Sequence, residues 1–199
     1  MNDSSTAPSA PVSETWNLPN QITATRIVLT VVMFVTLHFG VYGPSLVLFV
    51  IAAGTDWLDG YIARSRGLVT QLGRILDPLA DKLIICGTFI FLSANPDAGI
   101  PAWLTVVVVG RELIVTVVRS FLEQRGHDFS ANLPGKLKMV FQCSVVIASL
   151  AMLWLRADGY GSHDWLGAVV TVLLWLAAAV TVYSGAIYMR VAAQLLRDS

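Results

Sequence analysis

Six long apolar runs limit the folds that this chain can adopt. The runs cover residues 22–40, 44–64, 72–94, 100–124, 134–156 and 164–190. Each is close to the roughly 20 apolar residues that a helix needs to cross a bilayer, and a segment in lipid must satisfy its backbone hydrogen bonds internally. The chain is 55% hydrophobic and only 13% charged, which excludes an ordinary soluble domain. We therefore expect an all-α polytopic membrane protein with six transmembrane helices.

The N-terminal tail differs in composition from the rest of the chain. Residues 1–15 are rich in Ser, Thr, Pro and Ala and cannot bury a core, so we expect a short disordered tail there. Residues 16–199 then form one membrane domain. The formal net charge is zero, which gives no reason to expect a nucleic-acid partner.

The basic residues indicate how the chain is oriented. With six spans, those on the side of the N-terminus are Arg64, Arg66, Arg74, Arg125, Lys136, Lys138, Arg190 and Arg197, whereas Arg156 lies on the opposite side. Short basic loops stay in the cytoplasm. We therefore predict cytoplasmic N- and C-termini in a bacterial-type inner membrane, with residues 54–82 also on the cytoplasmic side.

Four aspartates interrupt the second and third runs. Asp56 and Asp59 are three residues apart, and Asp77 and Asp81 are four apart, so each pair lies on one face of its helix. A carboxylate inside a bilayer costs about 2.5–3.5 kcal/mol, which makes it a functional candidate. The turn between the two helices can bring the four carboxylates together. An all-oxygen ligand set without His or Cys suits Mg²⁺ or Mn²⁺.

Small residues accompany both pairs of aspartates. Gly60 lies one turn after Asp56, and Gly73 lies one turn before Asp77. Small residues let membrane helices approach each other closely. In the alternative interpretation, the aspartates cap helix ends or pair with Arg64, Arg66 and Arg74. Because capping explains neither the shared faces nor the small residues, we favour a metal site.

Together these residues form a pattern that resembles a known family. The pattern Asp56-x2-Asp59-Gly60-x2-Ala63-Arg64-x8-Gly73-x3-Asp77-x3-Asp81 is similar to the complete signature of the CDP-alcohol phosphotransferases. Eight defined positions at fixed spacing are far more specific than a short glycine motif. The resemblance implies six transmembrane helices, usually in a homodimer. It also implies transfer of a substituted phosphate from a CDP-linked donor to an alcohol, with release of CMP.

The resemblance further implies roles for individual residues. The four aspartates would hold two metal ions, Mg²⁺ or Mn²⁺, and Asp81 resembles the general base that takes the proton of the acceptor hydroxyl. The residues that would border the CDP donor are Asn20, Arg26, Gly54, Thr55, Gly60, Ala63, Arg64 and Gly73. Arg26 has an alternative role, in which its side chain extends to the lipid headgroups.

Basic residues of the fourth and fifth runs indicate the kind of acceptor. Arg111 and Arg119 are about two helical turns apart, and Lys136 and Lys138 open the next run. Two Arg and two Lys facing one cavity suit an acceptor that carries a phosphate. The alternative is that Arg111 and Glu112 form a buried ion pair with another helix.

The neighbouring residues resemble one branch of the family. Gly110-Arg111-Glu112-Leu113, followed by Gly135-Lys136-x-Lys138, is similar to the branch that joins CDP-diacylglycerol to glycerol 3-phosphate. Other branches share the signature but use phosphatidylglycerol or an inositol phosphate as the acceptor. The implied partners are therefore CDP-diacylglycerol, glycerol 3-phosphate, membrane lipid and a second copy of the chain.

Two functions of other classes remain open at this point. The aspartates would also suit a site for divalent-cation transport without chemistry. Arg64, Arg111 and Lys136 argue against it, because nearby positive charge opposes the passage of a cation. A protein with only a structural role in membrane assembly would show no dependence on a metal.

Overall fold

The computed structural model describes the backbone of residues 18–66, 71–124, 133–160 and 164–197, and the side chains of residues 20–55, 76–122, 137–160 and 165–195. The tail predicted for residues 1–15 lies outside this part of the chain.

Six α-helices and one short 3-10 helix make up the described structure. The α-helices are α1 (Leu18–His38), α2 (Tyr42–Arg66), α3 (Gln71–Ser93), α4 (Ala102–Gln124), α5 (Leu133–Ala157) and α6 (Asp164–Arg197). The 3-10 helix Pro96–Ala98 lies between α3 and α4. The α-helices coincide with the six apolar runs, so the all-α fold is confirmed. The boundaries differ by a few residues, and α6 continues to Arg197, past the end of its run.

Several helices have the length and composition of membrane spans. Within the described residues, the helical segments that are long and apolar enough to cross a membrane are Asn20–His38, Leu137–Ala157 and Trp165–Leu195. The outer surfaces of the helices are also apolar, as shown by Val28, Val106 and Val117, which are 61%, 70% and 68% exposed. An extensive apolar exterior fits contact with lipid.

One apolar core joins all six helices. Each helix contributes an enclosed side chain to this core, namely Met33, Phe49, Phe89, Leu104, Val145 and Ala177. The helix pairs in contact include α1 with α2, α1 with α3, α3 with α4, and α5 with α6. The helices that carry the aspartates and the basic residues therefore belong to one packed body.

Helices α1 and α3 approach each other closely at Gly87. A Cβ atom at this position would lie 2.2 Å from Cζ of Phe34 on α1, so a larger residue requires the ring or a helix to move. Phe34 also stacks on Phe91, with the ring centroids 5.0 Å apart. This packing fixes α1 against α3, the helix that carries Asp77 and Asp81.

Polar contacts hold the link between α3 and α4. Asn95 Nδ2 donates to the hydroxyl of Tyr42 at 2.9 Å, and Arg156 Nη1 donates to the carbonyl oxygen of Asp97 at 3.1 Å. Asn95 and Asp97 lie in the link itself, whereas Tyr42 starts α2 and Arg156 lies at the end of α5. The residues predicted to form the active site lie toward the opposite ends of these helices.

Candidate active site

The two carboxylates described on α3 have different partners. The hydroxyl of Thr23 on α1 donates to Oδ1 of Asp77 at 2.6 Å. The ammonium of Lys82 donates to Oδ2 of Asp81 at 2.7 Å. Because Asp77 and Asp81 are one helical turn apart, both carboxylates lie on the same side of α3. Asp77 is exposed and the Asp81 side chain is 28% exposed, so a ligand can reach both.

The described part of the predicted metal site fits a hard divalent cation. Asp56 and Asp59 lie on α2, and Asp77 and Asp81 lie on α3, as the spacing predicts. Neither Asp77 nor Asp81 accepts a hydrogen bond from a described residue at its second carboxylate oxygen. Oxygen atoms of this kind are the ligands that Mg²⁺ prefers. The described side chains alone contain no group of three potential metal ligands.

The remaining residues of the signature lie outside the described side chains. These are Asp56, Asp59, Gly60, Ala63, Arg64 and Gly73. The convergence of all four aspartates therefore stays a prediction, as does the role of Gly60, Ala63, Arg64 and Gly73 at the donor.

A buried carboxylate, that of Glu112, gathers the basic residues of the site. Glu112 is only 2% exposed. Its Oε2 lies 3.3 Å from Lys82 Nζ, and its Oε1 lies 3.1 Å from Arg111 Nη1. Lys138 Nζ also forms an ion pair with Oε1, and Gln142 Nε2 donates to the same oxygen at 3.4 Å. Glu112 thus ties together α3, α4 and α5.

Arg111 extends the network to α6. Its Nη2 donates to the hydroxyl of Ser184 at 2.7 Å, and its guanidinium lies 5.9 Å from the ring centroid of Tyr188. A Cβ atom at Gly185 would lie 3.2 Å from Arg111 Cγ, so the missing side chain makes room for the arginine. Nε of Arg111 is buried and has no hydrogen-bond partner among the described residues.

Two residues of this arrangement were missed by the sequence analysis. Lys82 contacts both Asp81 and Glu112 and so joins the predicted base to the basic residues. A signal for it existed, since a lysine within an apolar run is a functional candidate. Thr23 also had a signal, since it lies three residues from both Asn20 and Arg26, which the resemblance places at the donor. Its contact with Asp77 could not be predicted, because the contact arises only when α1 packs on α3.

The other predicted residues are only partly brought together. Asn20 and Arg26 are buried on α1, at 4% and 1% exposure. No described atom lies within 4 Å of a Cβ placed on Gly54, and the hydroxyl of Thr55 donates to the carbonyl oxygen of Ala52 within α2 at 2.9 Å. Arg111 and Lys138 share Glu112, whereas Arg119 is exposed two turns further along α4. The side chain of Lys136 is not described.

Removal of the Glu112 charge should strongly destabilise the protein. In Glu112→Gln the shape is kept, but three cations are left without their shared carboxylate. Loss of one partner of a buried ion pair costs about 3–5 kcal/mol. The matched control is Asp97→Asn, which removes a carboxylate that is 77% exposed and 4.0 Å from Arg156. That change should cost about 0–1 kcal/mol. Denaturant unfolding in detergent micelles compares the two, and equal losses would contradict the central role of Glu112.

Comparison with known proteins places the chain in a family. The family model described as CDP-alcohol phosphatidyltransferase matches residues 16–183. The chain is 36% identical to a CDP-diacylglycerol–glycerol-3-phosphate 3-phosphatidyltransferase of Bacillus subtilis (strain 168), with 85% of this chain and 92% of the relative covered. It is 34% identical to a protein of the same name from Rickettsia typhi (strain ATCC VR-144 / Wilmington), with 87% and 96% covered.

A relative with a different name also matches. This relative is a cardiolipin synthase (CMP-forming) of Oryza sativa subsp. japonica, which is 31% identical over 92% of this chain and 60% of its own length. The family match includes Asp56, Asp59, Asp77 and Asp81 and reaches from before α1 into α6. The chain therefore belongs to the CDP-alcohol phosphatidyltransferase family.

Proposed function

We propose that this protein transfers the phosphatidyl group of CDP-diacylglycerol to glycerol 3-phosphate, which gives phosphatidylglycerophosphate and CMP. The observation that carries the proposal is the ionic network from Asp81 through Lys82 to Glu112. It joins a carboxylate of the family signature to a basic cluster suited to a phosphate. The names of the bacterial relatives point to the same donor and acceptor.

The aspartates would bind the metal ions of the reaction. Asp56, Asp59, Asp77 and Asp81 would hold two Mg²⁺ or Mn²⁺ ions. When bound, such ions neutralise charge on the donor pyrophosphate and on the departing CMP. The oxygen-only chemistry of these residues supports this assignment.

Asp81 would act as the general base. Its carboxylate would take the proton from the glycerol hydroxyl, whose oxygen then attacks the phosphorus on the lipid side of the donor. A new oxygen–phosphorus bond forms, and the bond from that phosphorus to CMP breaks. Asp81 is suited to this role because it is accessible and because the ammonium of Lys82 holds one of its oxygens in place.

The two substrates would occupy neighbouring parts of the site. Asn20, Arg26, Gly54 and Thr55 would border the CDP moiety, together with the signature residues Gly60, Ala63, Arg64 and Gly73. The acyl tails of the donor would remain in lipid, against the apolar exterior of the helices.

The basic cluster would bind the phosphate of the acceptor. Lys82, Arg111 and Lys138 carry three positive charges, of which the carboxylates of Glu112 and Asp81 offset two. A phosphate monoester carries about 1.5 to 2 negative charges near neutral pH, so it complements this excess. Arg111 has a buried donor, Nε, without a partner among the described residues. Lys136 and Arg119 would add positive charge near this cluster.

The protein would work as a homodimer in a bacterial-type inner membrane, with all six helices crossing the bilayer. The distribution of Arg and Lys supports cytoplasmic termini and a cytoplasmic site. With this topology, the end of α2 and the link after α3 lie on opposite sides of the membrane.

Cysteine labelling tests the topology. In a background in which Cys86 and Cys143 are replaced, single cysteines at Ser65 and Asn95 should react with an impermeant maleimide from opposite sides of inner-membrane vesicles. Position 65 should label from the cytoplasmic face and position 95 from the other. Labelling of both positions from one face would contradict six spans.

Loss of the base should separate turnover from metal binding. Asp81→Asn keeps the size of the side chain but cannot accept the proton, so kcat should fall at least about a hundredfold, the lower range for a general base. Mn²⁺ binding, measured by calorimetry, should stay largely intact in Asp81→Asn and weaken more in Asp56→Asn. A kcat close to that of the unchanged enzyme would show that Asp81 is not the base.

Loss of an acceptor contact should act mainly on one substrate. Arg111→Ala or Lys136→Ala should raise the KM for glycerol 3-phosphate by about ten- to a hundredfold, since a hydrogen bond to a charged group contributes about 1.5–3 kcal/mol. The KM for CDP-diacylglycerol should change less. Arg190→Ala is the control, because it removes an exposed cation of α6 that lies outside the cluster.

The same assay distinguishes the alternatives for the acceptor. Inorganic sulfate should compete with glycerol 3-phosphate and not with the donor. Better use of phosphatidylglycerol than of glycerol 3-phosphate would assign the protein to the branch of its cardiolipin synthase relative. A loss of stability with an unchanged KM would assign Arg111 a structural role.

A further inference from the structure

We propose that Thr23 is a positioning residue for Asp77 and determines how tightly the site binds a divalent cation. Its hydroxyl holds one carboxylate oxygen of Asp77 and leaves the other for the ion. The inference rests on the metal site proposed above, but Thr23 lies outside the eight-position signature and on a different helix.

The contact between Thr23 and Asp77 is short and connects distant parts of the chain. The distance of 2.6 Å between Thr23 Oγ1 and Asp77 Oδ1 lies in the range of charge-assisted hydrogen bonds from a hydroxyl to a carboxylate. Thr23 is 1% exposed, whereas Asp77 is exposed. A buried donor therefore holds an exposed carboxylate.

Other helical threonines use their hydroxyls differently. The hydroxyls that donate to a carbonyl oxygen four residues earlier in their own helix belong to Thr25, Thr30, Thr88, Thr116 and Thr171. The hydroxyl of Thr23 reaches from α1 to a carboxylate on α3. This contact contributes to the geometry of Asp77.

The packing of α1 on α3 places Thr23 next to Asp77. Gly87 and Phe34 bring the two helices together in the same interface, and the χ1 angle of a β-branched threonine is restricted in a helix. A helical threonine has two favourable χ1 rotamers, and the contact with Asp77 uses the one that points Oγ1 toward α3. Hydrogen bonds to ligating carboxylates orient them, and their loss typically weakens metal binding by about 10- to 100-fold.

The test measures Mn²⁺ affinity of the full-length, metal-stripped protein in detergent, by calorimetry and by the electron paramagnetic resonance signal of free Mn²⁺. Thr23→Val removes the hydroxyl at constant shape and should weaken binding about 10- to 100-fold. Thr23→Ser keeps the hydroxyl and should bind nearly as the unchanged protein does. Thr30→Val is the matched control. Thr30 is also 1% exposed on α1, but its hydroxyl donates to the backbone carbonyl oxygen of Arg26 in the same helix.

Each outcome supports or overturns the role of Thr23. Weaker binding in Thr23→Val alone supports it. Unchanged affinity in Thr23→Val overturns it, as does equal weakening in Thr30→Val or in Thr23→Ser, since the cause is then the packing of α1. If Thr23→Val does not fold, Thr23→Ala replaces it under the same criteria. Unchanged Mn²⁺ binding in Asp77→Asn would instead show that the proposed metal site itself is wrong.

Discussion

The ion-pair network of Glu112 is the interaction on which the arrangement of the basic residues depends. Cations inside a helix bundle lose hydration, and this loss is tolerated when a carboxylate compensates it. Lys82, Arg111 and Lys138 come from three helices and share this one carboxylate. Arg111 then contacts Ser184, which connects the network to α6. The same basic side chains that suit a phosphate thus also connect four helices.

Helix α3 joins this network to the carboxylates of the signature. Lys82 follows Asp81 directly and reaches Glu112 on α4, while Asp77, one turn earlier, is held by Thr23 on α1. Asp77 is therefore supported from α1, and Asp81 is supported through Lys82, which also contacts α4. The proposed reaction requires the acceptor hydroxyl, the base and the donor phosphorus to be held in fixed positions, because proximity and orientation supply much of the rate enhancement.

Much of the fold could be predicted from the sequence, because apolar runs of membrane-spanning length leave few alternatives to helices. The faces of single helices could also be predicted, since the spacings of Asp56 with Asp59 and of Asp77 with Asp81 follow from helical periodicity. Contacts between helices could not. Arg111 can contact a phosphate or another side chain, and the sequence does not distinguish the two. This contact, like that between Thr23 and Asp77, depends on which helices pack together and how they are rotated.

In the proposed reaction, Glu112 need not be displaced when the acceptor binds. Each lysine ammonium has three protons to donate. Lys82 contacts two carboxylates, and Lys138 contacts Glu112, so further donors remain for a phosphate. Arg111 adds Nε. Glu112 therefore reduces the repulsion among the three cations but leaves an excess of positive charge. Its contacts need not break when a doubly charged acceptor binds to the cluster. An uncharged alcohol would gain little from such a cluster, which is why the network favours an acceptor with a phosphate.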